Sequence, residues 1–174
     1  NGIENIYPLT YLRATFELRC GHTTLAEKIC RAVGEVSETA FIVRQLLEPT
    51  VKNRYPGYRI NDLDMLDGDD LILVDGRILA LESLNFPDTE GIVSDGDQVV
   101  MARIGKSTTS SFPKGSLEEF LAAAVSSLPE IEKKVSIIRY PWDIVDHNSE
   151  AIAADFRYSA RSGIECGMHE LSCV

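Results

Sequence analysis

Residues with affinity for phosphate crowd into one short stretch of this chain. Arg13, Arg19, Gly21, Thr24 and Lys28 lie within sixteen positions. Arginine grips phosphate through paired N–H groups, and lysine supplies a compact point charge. A glycine-containing loop that runs into a helix N-terminus also offers backbone N–H groups to an anion. Thr24-Leu25-Ala26-Glu27 has the spacing of a capping box, so a helix should begin there and run to Val33 before Gly34 stops it. The stretch is therefore a candidate anion site. The same residues also read as an Arg19–Glu17 ion pair and a solvated Lys28.

Two oxygen-bearing residues suggest a metal. Asp75 follows the apolar run Leu71-Ile72-Leu73-Val74. A carboxylate at a strand end suits Mg²⁺, which is bound through one or two carboxylates together with substrate phosphates. Asp75 beside Gly76 equally suits the start of a turn. Asn148, next to His147, is a second candidate oxygen ligand, and it also suits a helix cap. Cys166, His169 and Cys173 form a further possible ligand group near the chain end, set against free thiols in a reducing compartment. Nothing resembles a G-x-S-x-G nucleophile elbow or a P-loop.

These residues need a scaffold, and the pattern sketches one. Residues 39–47 contain Ala-Phe-Ile-Val and read as a buried strand, residues 71–74 as another and residues 98–104 as a third. Pro49 suits the first turn of a helix over 48–54. Residues 82–96 read as a loop with Pro87, Gly91 and Gly96, and 107–115 as a polar loop. Ser116-Leu117-Glu118-Glu119 opens a helix that Pro129 ends, and residues 134–139 form a short strand. Ile144, Asn148, Ile152 and Phe156 recur every four residues, a helical face broken near Asn148. Apolar strands alternating with helices predict an α/β fold, a three-layer sandwich with a mainly parallel sheet. Ligands of such sheets sit at the carboxyl ends of the strands.

Composition narrows the function. The 174 residues fit one domain, and 44% apolar with 25% charged residues is ordinary for a folded globular chain. The net charge of −10 argues against nucleic acid or an anionic membrane as a general partner. Residues 1–60 nevertheless carry eight Lys/Arg against six Asp/Glu, a net of +2, so the positive charge gathers around the candidate anion loop. No apolar run approaches the roughly 20 residues that cross a bilayer, and a cytoplasmic location is expected.

The ordered series Tyr7-Pro8-Leu9-Thr10, Arg13, Phe16-Glu17-Leu18-Arg19, Gly21, Thr24 and Glu27-Lys28 resembles a divergent sugar nucleotidyltransferase family. The resemblance continues through Phe41-Ile42-Val43-Arg44, Asn61-Asp62-Leu63, Leu73-Val74-Asp75-Gly76-Arg77, Pro141-Trp142-Asp143, Asn148, Ile152 and Asp155-Phe156. The family is similar to the bifunctional uridylyltransferase/acetyltransferase that makes UDP-N-acetylglucosamine. The resemblance implies a Rossmann-like nucleotide-diphospho-sugar transferase domain over residues 1–158. Its first strand is expected upstream of residue 1, and residues 159–174 are expected to lead toward a C-terminal β-helix domain outside this chain. It implies a reaction between a nucleoside triphosphate, UTP in the first instance, and a sugar 1-phosphate. Arg13 and Lys28 would be catalytic, Arg13, Arg19, Gly21 and Thr24 would bind the nucleotide phosphates, and Asp75 and Asn148 would hold Mg²⁺. A homo-oligomer built through the C-terminal domain is compatible with it. The Leu-Ala-Ala-Gly-x-Gly-Thr-Arg opening of classical nucleotidyltransferases is not found, and Ala14 stands where the family carries Pro. That departure supports an alternative: a catalytically silent scaffold or regulatory domain of an acyltransferase.

Overall fold

The structure, a computed structural model, describes residues 2–66, 70–84 and 89–159. Cys166, His169 and Cys173 lie outside the described residues.

Helix α1, Leu25–Val33, begins where its capping box requires. Thr24 Oγ1 accepts from the Glu27 backbone N–H at 3.2 Å, and Glu27 accepts from the Thr24 N–H at 2.6 Å. Gly34 ends it with φ 88°, a conformation open to glycine at little cost. Strand β1 is only Ala40–Phe41, shorter than the strand expected over 39–47. Side chains divert the backbone after it. The Val43 N–H donates to Asn61 Oδ1 at 2.7 Å, and the Arg44 guanidinium donates to the Tyr7 hydroxyl and the Thr10 carbonyl. Helix α2, Glu48–Arg54, follows with Pro49 in its first turn, and strand β2, Arg59–Ile60, pairs in parallel with β1.

Strands β3 (Leu71–Val74), β4 (Gly91–Asp95) and β5 (Gln98–Ile104) form a second sheet in the order β3-β5-β4. Both pairings are antiparallel. The described residues do not form the mainly parallel sheet expected: among their strands only β1 and β2 pair in parallel, with one isolated parallel bridge between Ile92 and Glu130. For β4 and β5 the reason lies in the turn between them. Gly96, at φ 59°, and Asp97 close a tight connection between Asp95 and Gln98, and a two-residue connection can only join antiparallel neighbours. β4 also falls inside the expected 82–96 loop. Gly91 there marks close packing, since a Cβ would stand 2.3 Å from Ile131 Cδ1.

Helix α3, Lys106–Thr109, occupies part of the expected polar loop. Helix α4, Leu117–Ser127, starts at its Ser116 cap and lays Phe120 and Ala124 on β4 and β5 residues Ile92, Ala102 and Ile104. The expected strand over 134–139 reduces to one bridge between Ile137 and Ile78. Helices α5, Pro141–Asp146, and α6, Asn148–Ser159, are separated at His147, as the sequence suggested. The buried face of α6 differs from the expected one. Ala151, Ala154 and Asp155 point inward, while Ile152 and Phe156 are exposed. Alanines permit the close approach of α6 to the Cys20–Thr23 loop, which bulkier side chains would prevent.

The loop preceding α1 is held from two sides. Ala14, Phe16 and Ala26 pack with Leu47, Val51 and Ile60, and Phe16 stacks on Phe41 at 4.4 Å. Leu18, Cys20 and Leu25 pack with Ile6, Leu79, Ile138 and Ala151. The sheet-side core is anchored by Phe120, which has no exposed surface. Phe120→Ala should destabilise the fold by about 3–5 kcal/mol. Urea denaturation checks this: the midpoint should fall sharply with an unchanged slope, and a cost under about 1 kcal/mol would remove Phe120 from the core argument.

Candidate functional site

Every backbone N–H of the Gly21–Thr23 turn is already engaged by helix α6. Gly21 donates to Asn148 Oδ1 at 2.8 Å. His22 and Thr23 donate to Asp155 Oδ2 at 2.9 and 3.0 Å. Gly21 adopts φ 77°, and a Cβ there would lie 2.8 Å from the Ala151 carbonyl carbon and 2.9 Å from Asp155 Oδ2. Glycine is needed both for its backbone conformation and for this contact. The cup of amides expected to receive a phosphate thus holds two side chains of the protein itself.

Lys28 faces the same place from α1. It has no exposed surface, and its ammonium donates to both carboxylate oxygens of Asp155, at 2.7 and 2.8 Å, and to Thr23 Oγ1 at 2.6 Å. Arg31, one turn on, donates to Asp155 Oδ1 at 3.0 Å and lies over the Tyr158 ring at 4.0 Å. Burial opposes ionisation of Asp155. Hydrogen bonds from Lys28, Thr23 and Arg31 together outweigh it and hold the carboxyl well below the usual carboxylate range.

The helix N-terminus is also occupied. The Thr24 hydroxyl lies 2.8 Å from Glu27 Oε2, and the Thr24 backbone N–H holds the Glu27 carboxyl below its ordinary range. A carboxylate of the chain therefore sits where the helix dipole would favour an external anion.

Two cations remain outward. Arg13 and Arg19 are exposed. Arg19 donates to the His22 carbonyl at 2.9 Å, which ties its guanidinium to the turn. It does not pair with Glu17, whose carboxylate accepts from Arg54 at 2.8 Å and from the Ala14 N–H at 2.7 Å.

Asp75 and Asn148 are not brought into a shared cation site. Asp75 accepts from the Arg77 backbone N–H at 2.8 Å and from its guanidinium at 2.7 and 3.1 Å, so it serves the turn after β3. Arg77 also donates to Gln98 Oε1. Asn148 stands instead at the start of α6, against Gly21. The donor set does not fit Mg²⁺: one carboxylate is neutralised by a guanidinium, and the amide oxygen is committed to a backbone N–H. Among the described residues no group of three or more His, Cys, Asp or Glu side chains is arranged for a metal.

Asp155 is the residue that sequence reasoning passed over. Its family match was visible, but its role was not. The available signal was a pair of opposite charges, Lys28 and Asp155, on helix positions that otherwise bury apolar residues. A second concave feature, of about 580 Å³, is lined by Tyr58, Arg59, Asn61, Asp62, Lys52 and Glu48 near the end of the parallel pair. Its charges are matched internally, Lys52 with Glu48 and Arg59 with Asp62.

No helix among the described residues is long and apolar enough to cross a membrane. Comparison with protein families matches residues 1–162 to a family described as sugar nucleotidyl transferase. No curated protein and no solved structure matches the chain.

The depressed Asp155 pKa has a defined consequence for stability. An acid whose folded pKa lies below its unfolded value stabilises the fold above that unfolded value, about 3.9 for Asp, and loses the contribution as pH falls toward the folded pKa. Wild-type stability should therefore drop below about pH 4 more steeply than that of Asp155→Asn. Chemical denaturation from pH 6 to 2 measures both slopes. Parallel profiles would mean that Asp155 is not held ionised by the fold.

Proposed function

The chain belongs to the sugar nucleotidyl transferase family, and from that premise we propose that its protein joins UTP to a sugar 1-phosphate, N-acetylglucosamine 1-phosphate in the first instance. The sugar phosphate oxygen attacks the α-phosphorus of the nucleotide. The bond from that phosphorus to the bridging oxygen breaks, and pyrophosphate leaves with the electron pair. The products are a nucleoside-diphosphate sugar and pyrophosphate. No protein nucleophile is required, so positioning and charge stabilisation carry the catalysis. Residues 1–158 are proposed as the nucleotidyltransferase-like domain, with β1 and β2 belonging to its nucleotide-binding sheet.

The match over residues 1–162 carries this reading, and the outward cations of the loop before α1 support it. Arg13 and Arg19 are proposed to meet the triphosphate. Lys28 acts from inside, by fixing the loop through Asp155 and Thr23. Gly21 and Thr24 shape the turn and start the helix rather than donate to the nucleotide.

A second reading is favoured by the filled amide cup and by the Asp75–Arg77 pair. In it the domain is a silent scaffold of an attached acyltransferase. Pyrophosphate release from several nucleoside triphosphates and sugar 1-phosphates, with and without divalent cation, separates the two. Sustained release supports the enzyme, whereas silence of the full-length protein across the panel favours the scaffold. For binding, loss of a charged hydrogen bond costs about 1.5–3 kcal/mol, so Arg13→Ala should weaken UTP by roughly ten- to a hundredfold. Uridine affinity should not change. Calorimetry that finds equal weakening of both ligands would make Arg13 a support of the fold instead.

A further inference from the structure

We infer that Asp155 is a positioning residue: its carboxylate stands in the amide cup of the loop as an internal anion and thereby sets where the Arg19 guanidinium is presented. The inference rests on the proposed nucleotide site for its functional meaning. Its geometry does not.

The His22–Thr23 peptide is the link. Its N–H, carried by Thr23, donates to Asp155 Oδ2 at 3.0 Å, and its carbonyl, that of His22, accepts from Arg19 Nη1 at 2.9 Å. A displacement of Asp155 therefore moves the peptide that holds Arg19. Asp155 also accepts from the His22 N–H and from the Thr23 hydroxyl, each at 2.9 Å. Successive N–H groups converging on one point form an anion-binding concavity. Asp155 supplies the anion from α6, a helix that begins more than a hundred residues later in the chain.

The surroundings make this anion difficult to replace. Lys28 and Arg31 balance its charge, and the Asp155 side chain is 2% exposed. A substrate phosphate could enter the cup only by displacing a carboxylate that two cations, two backbone N–H groups and a hydroxyl already satisfy. The loop's contribution to phosphate recognition is consequently made on its outer side, through Arg19. Arg13 is not tied to the cup by any of these contacts, so its contribution should be independent of Asp155. This asymmetry between two exposed arginines of one loop separates positioning from general support of the fold.

The test uses Asp155→Asn, which keeps the shape and removes the charge, with Thr23→Val as a milder second variant should the first fail to fold. Amide hydrogen exchange reads the loop without any ligand. In Asp155→Asn the His22 and Thr23 amides should exchange roughly ten- to a hundredfold faster, by the weakening of a charged hydrogen bond. The Asn61 amide, bonded to the Phe41 carbonyl at 2.9 Å, is the control and should be unchanged. Thr23→Val should shift the same two amides in the same direction, by less. Calorimetry then reads UTP and uridine in Arg19→Ala, Asp155→Asn and the double variant. Each single change should weaken UTP and spare uridine, and the double variant should be no weaker than the worse single one. Arg13→Ala combined with Asp155→Asn should be additive. Unchanged His22 and Thr23 exchange, or additive losses for Arg19 and Asp155, would overturn the inference. A wild-type protein that binds no UTP would refute the proposed function alone, and the exchange result would still decide whether Asp155 holds the loop.

Discussion

An ammonium group with no exposed surface must be neutralised where it lies. Lys28 meets that requirement only because α6 brings Asp155 to within 2.7 Å. Such a pair contributes little net stability over a well-packed apolar pair, because both ions lose their hydration. Breaking it by removing one partner is different, and costs about 3–5 kcal/mol, since a charge is then left buried alone. The contact thus acts as a specification more than as a source of stability. It dictates that α6 lies against the start of α1, and that the turn between Cys20 and Thr24 is caught between them.

This constraint explains features that look unrelated in the chain. Gly21 is glycine because α6 leaves no room for a Cβ and because the turn needs a positive φ. Ala151 and Ala154 are small because the helix must come close. Asn148 takes the first amide of the turn and Asp155 the next two, so one helix face satisfies three successive donors. Buried N–H groups left without acceptors would be costly, and here each has one. With the inner side of the loop committed in this way, recognition of an anionic ligand passes to guanidinium groups on its outer side.

Much of the local structure was legible in the residues. Both capped helices start at their Thr24 and Ser116 signals, Pro49 sits in its first turn, and β5 spans the residues its apolar run indicated. The break between α5 and α6 was legible at Asn148. The sheet was not, because a continuous apolar run is compatible with either pairing, and the Gly96 turn marks only β4 and β5 as antiparallel neighbours. The α6 face was misread for a related reason. A four-residue recurrence identified a helix, but Ile152 and Phe156 remain outside while alanines and a carboxylate go in. At the candidate site the loop was found and its internal occupant was not. Hydrogen bonds spanning more than 120 residues, such as His22 to Asp155, leave no trace in local spacing.

The most direct test of the account is where UTP is felt on the protein. Side-chain Nε–H resonances of Arg13 and Arg19, and backbone amides of Gly21, His22 and Thr23, can be followed by nitrogen-15 NMR during a UTP titration. The account predicts that the two guanidinium signals shift in a saturable manner while the Gly21 and Thr23 amides keep the shifts set by Asn148 and Asp155. Large saturable shifts of those amides with silent guanidinium signals would show the phosphate entering the cup, and would contradict it.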